Sequence, residues 1–186
     1  IYATADLLGL EQLEVLKLLS TLESVDGRFQ YIVSPKHITA IVDYAHTPDA
    51  LKNVLETINA IRTGNEELIT VVGCGGDRDN AKRPKMGNIA AQLSTKVIFT
   101  SDNPRTENPE SIIEQVEAGV SPLDYKKTMA ITDRKQAIKT ACQLASEKDI
   151  ILIAGKGHET YQEINGERFD FDDFKTVTQM LTALNK

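Results

Sequence analysis

The chain has 186 residues, of which 41% are apolar and 26% charged, and its formal net charge is −6. That balance describes a soluble folded chain with room for one buried core plus an appendage, and it excludes intrinsic disorder. The acidic excess argues against a general nucleic-acid or anionic-membrane surface, and no apolar run approaches the roughly 18 residues of a membrane span.

The first 25 residues carry a helical pattern. Gly9 breaks it, which predicts one helix ending near Leu8 and a second over about Glu11–Leu22. Neither finds a partner nearby, so residues 1–32 read as the closing helices of a preceding domain plus a linker, and residues 33–186 as a second domain. Asp26-Gly27-Arg28-Phe29 reads as a turn and Gln30–Val33 as a short strand. Near-continuous apolar strands are then predicted at Ile38–Val42, Leu68–Val72, Lys96–Thr100, Thr128–Ile131 and Ile150–Ala154. Such runs suit a parallel sheet covered on both faces.

Helices fall between the strands. Thr47 caps the first, with Pro48 at its opening position, Leu51, Val54, Leu55, Ile58 and Ile61 on one face, and Gly64 to end it. Others are predicted over Ala81–Leu93, from Asn108-Pro109, and from Asp133 to about Ser146, where Gln136 completes a capping-box spacing. Asn165-Gly166, flanked by Tyr161–Ile164 and Glu167–Phe171, predicts a β-hairpin, and a last helix starts near Asp172. The expected fold is α/β and Rossmann-like. It has a mostly parallel sheet of about six strands, helices on both faces and a C-terminal β-hairpin, preceded by short helices from an adjoining domain.

Parallel strands send their carboxyl ends to one edge, where ligands bind. The loops there are Asp43–His46, Gly73–Arg78, Ser101–Arg105, Asp133-Arg134 and Gly155–Glu159, nearly all charged or glycine-bearing. In Ser101-Asp102-Asn103-Pro104-Arg105, Asp102 and Asn103 can accept hydrogen bonds from an ammonium. Pro104 stiffens the loop and Arg105 offers a planar fork to a carboxylate. The same residues also suit an ordinary turn with Arg105 solvated.

Gly73–Arg78 matches a phosphate loop only loosely, because Arg78 stands where a dinucleotide fingerprint needs glycine. Its glycines let the backbone approach a ligand or a neighbouring strand. Arg78 is either a second guanidinium on that edge or an ion-pair partner of Asp77 or Asp79. Gly155-Lys156-Gly157 is not a P-loop, since Ile150 and Gly157 occupy positions that need Gly and Ser or Thr. Glu159 accepts from an ammonium or sits exposed in its loop, and His158 is a base or a backbone partner. Lys82, Arg83 and Lys85 oppose the macrodipole of the helix they open, so they face an anion or solvent. Cys74 and Cys142 lack CxxC spacing, and His37, His46 and His158 are scattered. This fits a reducing cytoplasm and shows neither a disulfide framework nor a metal cluster.

Taken in order, Gly27-Arg28-Phe29, Asp43–Asp49, Gly73–Asp79, Lys82-Arg83-Pro84, Asp102–Arg105 and Gly155–Glu159 resemble the C-terminal part of a Mur ligase across essentially the whole chain. The nearest branch adds meso-2,6-diaminopimelate to UDP-N-acetylmuramoyl-L-alanyl-D-glutamate. The resemblance implies a three-domain, ADP-forming amide ligase of peptidoglycan precursor synthesis, cytoplasmic and monomeric. This chain would supply the amino-acid-binding domain and be inactive alone. ATP and Mg2+ would be held mainly by a central domain, with no catalytic residue and no metal ligand assigned here. The resemblance also implies an amino-acid site of Arg78, Asp102, Asn103, Pro104, Arg105, Gly155 and Glu159, and nucleotide contacts from Arg28, Asp43 and His46. Arg105 is expected to read a second carboxylate, since relatives that add L-lysine lack it. Alternatives are such a lysine-adding relative, another Mur ligase or a folylpolyglutamate synthase, and a stand-alone Rossmann-like binding module.

Overall fold

The computed structural model describes residues 2–21 and 25–186. Helices α1 (Tyr2–Leu7) and α2 (Gln12–Ser20) open the chain, parted by Gly9 in the left-handed region. The predicted end of the second helix at Leu22 lies outside the described residues. Leu7, Leu8, Leu13 and Leu18 stand exposed on this pair.

Six strands form the main sheet: β1 (Gln30–Val33), β2 (Thr39–Asp43), β3 (Leu68–Val72), β4 (Lys96–Phe99), β5 (Thr128–Ala130) and β6 (Ile150–Ala154). Their spatial order is β1-β2-β6-β3-β4-β5, with β1 antiparallel to β2 and every other pairing parallel. Both faces of β3 and β6 are buried, which is why these strands read as unbroken apolar runs. The strand period still decides which face each side chain takes. Leu68, Val72, Leu152 and Ala154 face one core, and Ile69, Val71, Ile151 and Ile153 face the other. Strands β4 and β5 stop one residue short of expectation, although the Thr100 amide still donates to Val72 and the Ile131 amide to Phe99.

Helices α3 (Pro48–Ile61), α4 (Lys82–Leu93) and α5 (Pro109–Glu117) cover the first face, and α6 (Arg134–Leu144) and α7 (Asp173–Ala183) the second. Thr47, Asn108, Asp133 and Asp172 each accept a hydrogen bond from the backbone N–H three residues on, so the predicted starts of α3, α5, α6 and α7 rest on real caps. Strands β7 (Tyr161–Ile164) and β8 (Glu167–Asp170) form the hairpin, with Asn165 and Gly166 both at positive φ in its turn.

Arg134 is not a ligand-edge residue, contrary to the sequence reading. It is fully buried, its Nε and Nη2 bonded to the two Asp173 carboxylate oxygens at 2.8 and 2.7 Å. Nη2 also donates to the Ala154 carbonyl at 3.2 Å. Burial opposes this charge, but Asp173, with Asp102 and Glu159 adding to it, raises the guanidinium's pKa on balance. One cation therefore ties the start of α6 to α7 and to the end of β6. We expect Arg134→Met to cost about 3–5 kcal/mol in urea unfolding, because it strands a buried carboxylate. The double change Arg134→Met with Asp173→Leu should recover most of that loss. Equal loss in both variants would contradict the pairing.

Candidate functional site

Strands β2, β6, β3 and β4 are neighbours, so their carboxyl-end loops converge on one edge. Together they line a pocket of about 500 Å³, within the usual ~300–1,000 Å³ of small-molecule sites. Its walls carry Arg78, Asp102, Asn103, Arg105, Gly155 and Glu159, drawn from three of those loops, with His46 from the fourth.

Ser101, Asp102 and Asn103 are buried rather than solvated. Asp102 accepts the Asn103 amide on Oδ1 at 2.7 Å, and its Oδ2 lies against Gly155. A Cβ on Gly155 would sit 2.5 Å from that oxygen, and its φ of +121° disfavours any side chain. Asn103 is expected to accept from a ligand ammonium, but the structure spends its side chain on the protein. Oδ1 accepts from Lys156 Nζ at 2.9 Å and from the Glu163 amide at 3.0 Å, while Nδ2 donates to Glu159 Oε2 at 2.8 Å. Pro104 does not line this pocket. Its carbonyl accepts the Glu107 amide at 3.0 Å and leaves no room for a Cβ on Gly76.

Arg105 sits at φ +51° and is held there by the hairpin: its amide donates to the Glu163 carbonyl and its carbonyl accepts from the Asn165 amide. Its Nη1 donates to the Gly76 carbonyl at 2.8 Å and its Nε lies 3.4 Å from the Glu163 carboxylate. A guanidinium has five N–H donors, so the remaining ones are available to a guest. Arg78 donates to the Asp77 carbonyl at 3.1 Å and has no carboxylate partner among the described residues. The two arginines flank the same backbone: a Cβ on Gly75 would stand 3.1 Å from Arg105 Nη1 and 3.9 Å from Arg78 Cγ.

Lys156 is a site residue that sequence reasoning passed over. Its ammonium is fully buried, bonded to Asn103, 3.2 Å from Glu159 Oε2, and 5.4 Å from the centroid of the Tyr161 ring. The available signal was a lysine one glycine beyond a strand with no exposed residue. Tyr44 was missed as well. Burial first, then the Glu159 and Asp102 charges, push its phenol above its ordinary pKa.

Of the three cations that open α4, the structure separates the roles. Arg83 faces an anion, but an internal one: it binds both Glu107 carboxylate oxygens at 2.8 Å and the Gly75 carbonyl at 3.2 Å. Lys82 lines the pocket and donates to the His46 carbonyl, and Lys85 is exposed. Among the expected nucleotide-side residues, only His46 lines the pocket. Asp43 accepts the Phe29 amide at 2.7 Å, and burial raises its pKa, while Arg28 is exposed beside it. Cys74 lines the pocket, but burial pushes its thiol up to about 12, so it is no nucleophile at neutral pH.

The family description "Mur ligase, glutamate ligase domain" matches residues 27–157. The chain belongs to the Mur ligase family. It is 58% identical over 186 residues to the UDP-N-acetylmuramoyl-L-alanyl-D-glutamate--2,6-diaminopimelate ligase of Cytophaga hutchinsonii, covering 100% of this chain and 38% of that protein. The enzyme of the same name from Bacillus velezensis is 46% identical over 184 residues, covering 99% of this chain and 36% of that protein. A solved structure of a ligase with this name superimposes with a TM-score of 0.80 at 41% identity, covering 100% of this chain and 37% of that one. The UDP-N-acetylmuramate-alanine ligase of Thermotoga maritima shares the fold, with a TM-score of 0.66 at 21% identity over 98% of this chain and 35% of its own. The Mur ligase chain described here thus spans little more than a third of the length of its curated relatives.

Burial pushes the Cys142 thiol up to about 12 as well, so neither cysteine of this Mur ligase chain should react readily in the fold. Titration with a disulfide reagent at pH 8 should find almost no fast-reacting thiol in the native chain and two after denaturation. A fast native equivalent would contradict the burial of Cys74.

Proposed function

We propose that this chain is the amino-acid-binding domain of an ADP-forming ligase that joins meso-2,6-diaminopimelate to UDP-N-acetylmuramoyl-L-alanyl-D-glutamate. On this reading α1 and α2 belong to the adjoining domain, and the enzyme is a cytoplasmic monomer of peptidoglycan precursor synthesis. The observation that carries the reading is one pocket holding two guanidiniums, Arg78 and Arg105, together with two carboxylates, Asp102 and Glu159. Diaminopimelate offers one carboxylate to each guanidinium and one ammonium to the two carboxylates, which leaves its second amine free to react. The names of the relatives support the same substrate pair.

The chain's residues bind and orient. Arg105, with its backbone clamped by the hairpin, receives the distal carboxylate, and Arg78 the other. Asp102 Oδ2 and Glu159 accept from the distal ammonium, which Gly155 allows to come close. The second amine is then left to attack the D-glutamyl γ-carbonyl of an acyl phosphate: the new C–N bond forms to give a tetrahedral intermediate, which collapses as the C–O bond to phosphate breaks, phosphate leaves and the amine's proton passes to solvent. ATP supplies the activation of that carboxylate. We assign ATP and Mg2+ mainly to a central domain of the ligase, with Arg28, Asp43 and His46 meeting the nucleotide on domain closure.

In the full-length ligase, Arg105→Ala should lower kcat/KM for meso-diaminopimelate about 10–150-fold, the equivalent of ~1–3 kcal/mol for a lost charged contact. Any turnover of L-lysine should change less than about threefold, since lysine lacks the second carboxylate. Similar losses for both amino acids would contradict the assignment.

A further inference from the structure

The Lys156 ammonium has three N–H groups and meets three partners: Asn103 Oδ1 at 2.9 Å, Glu159 Oε2 at 3.2 Å, and the Tyr161 ring. It is fully buried, whereas the carboxylate it holds is partly open to the pocket. Glu159 Oε2 is therefore fixed between Lys156 and Asn103 Nδ2, so the second oxygen is the one available to a guest. The charges point the same way. Asp102 and Glu159 line one pocket, and a single guest ammonium would neutralise only one of them. Lys156 balances the other. A buried cation of this kind loses its partner only at high cost, so the arrangement resists rearrangement when the guest departs.

We propose that Lys156 is a positioning residue for the amino-acid site, holding the Glu159 carboxylate, directly and through the Asn103 amide, in the geometry that receives the distal ammonium. The proposal rests on the reading of this pocket as a diaminopimelate site. Lys156 acts on the guest only through Glu159. Because Asn103 Oδ1 also accepts the Glu163 amide, the same cation steadies the hairpin that clamps Arg105.

The test uses the full-length ligase, with steady-state kinetics for each of its three substrates. Lys156→Met should raise KM for meso-diaminopimelate about 10–100-fold, or roughly one to two factors of 1.4 kcal/mol, and leave kcat/KM for ATP and for the UDP-linked dipeptide within about twofold. In a Glu159→Gln background the same change should add less than about threefold, because the partner it holds is already neutral. Uniform loss across all three substrates, no change in KM for the amino acid, or simple additivity would each overturn the proposal. If Lys156→Met does not accumulate as folded protein, Glu159→Gln is compared with the double variant, which removes both charges of the pair. Matching amino-acid KM values support positioning, while a further tenfold rise or an insoluble double variant overturns it. A wild-type ligase that forms no amide with meso-diaminopimelate removes the functional reading itself, and the proposal with it.

Discussion

The Asn103 side chain is the joint on which the carboxyl edge of the sheet is built. Its amide oxygen takes Lys156 from the loop after β6 and the Glu163 amide from the hairpin, and its amide nitrogen reaches Glu159. The loop after β6 and the first strand of the hairpin, which follow one another in sequence but lie far along the chain from Asn103, are thereby fixed to the loop after β4. Buried amides must be satisfied, and this one is satisfied only when both the loop and the hairpin are in place. The pocket is consequently a product of the folded edge as a whole, and no single loop could form it.

Two other buried cations extend the same design. Arg83 binds Glu107 and the Gly75 carbonyl, fixing the loop after β3 against the segment before α5. Arg134 binds Asp173 and the Ala154 carbonyl, fixing the end of β6 against α7. The sheet interior is apolar, yet its ligand edge is held by charges paired across loops. Such pairs add little net stability compared with apolar packing, but breaking one is costly. They suit an edge that must keep polar groups at fixed places while a charged guest comes and goes.

The sheet and its helices were legible because their signals are local. Apolar runs marked β3 and β6, and Thr47, Asn108, Asp133 and Asp172 marked the helix starts. The edge was legible as a set of polar loops, but the role of each side chain was not. Arg83 and Arg134 look like ligand-facing cations in sequence, and their carboxylate partners lie 24 and 39 residues away. Asn103 looks like a ligand acceptor until Lys156 is seen 53 residues on. Pairing across such separations is set by the fold, and a reading confined to neighbouring residues misses it. Lys156 was overlooked for the complementary reason: a lysine in a loop is ordinarily solvated, and only three-dimensional packing reveals one with no exposure.

The central claim is that oppositely charged groups from separate loops share one guest along this edge. The most direct measurement is a crystal structure of the full-length ligase with meso-diaminopimelate bound. One carboxylate of the guest should lie within hydrogen-bonding reach of Arg105 and the other of Arg78, with an ammonium against Asp102 Oδ2 and Glu159. An amino acid bound away from Arg105, or with no ammonium at Asp102 and Glu159, would contradict the account.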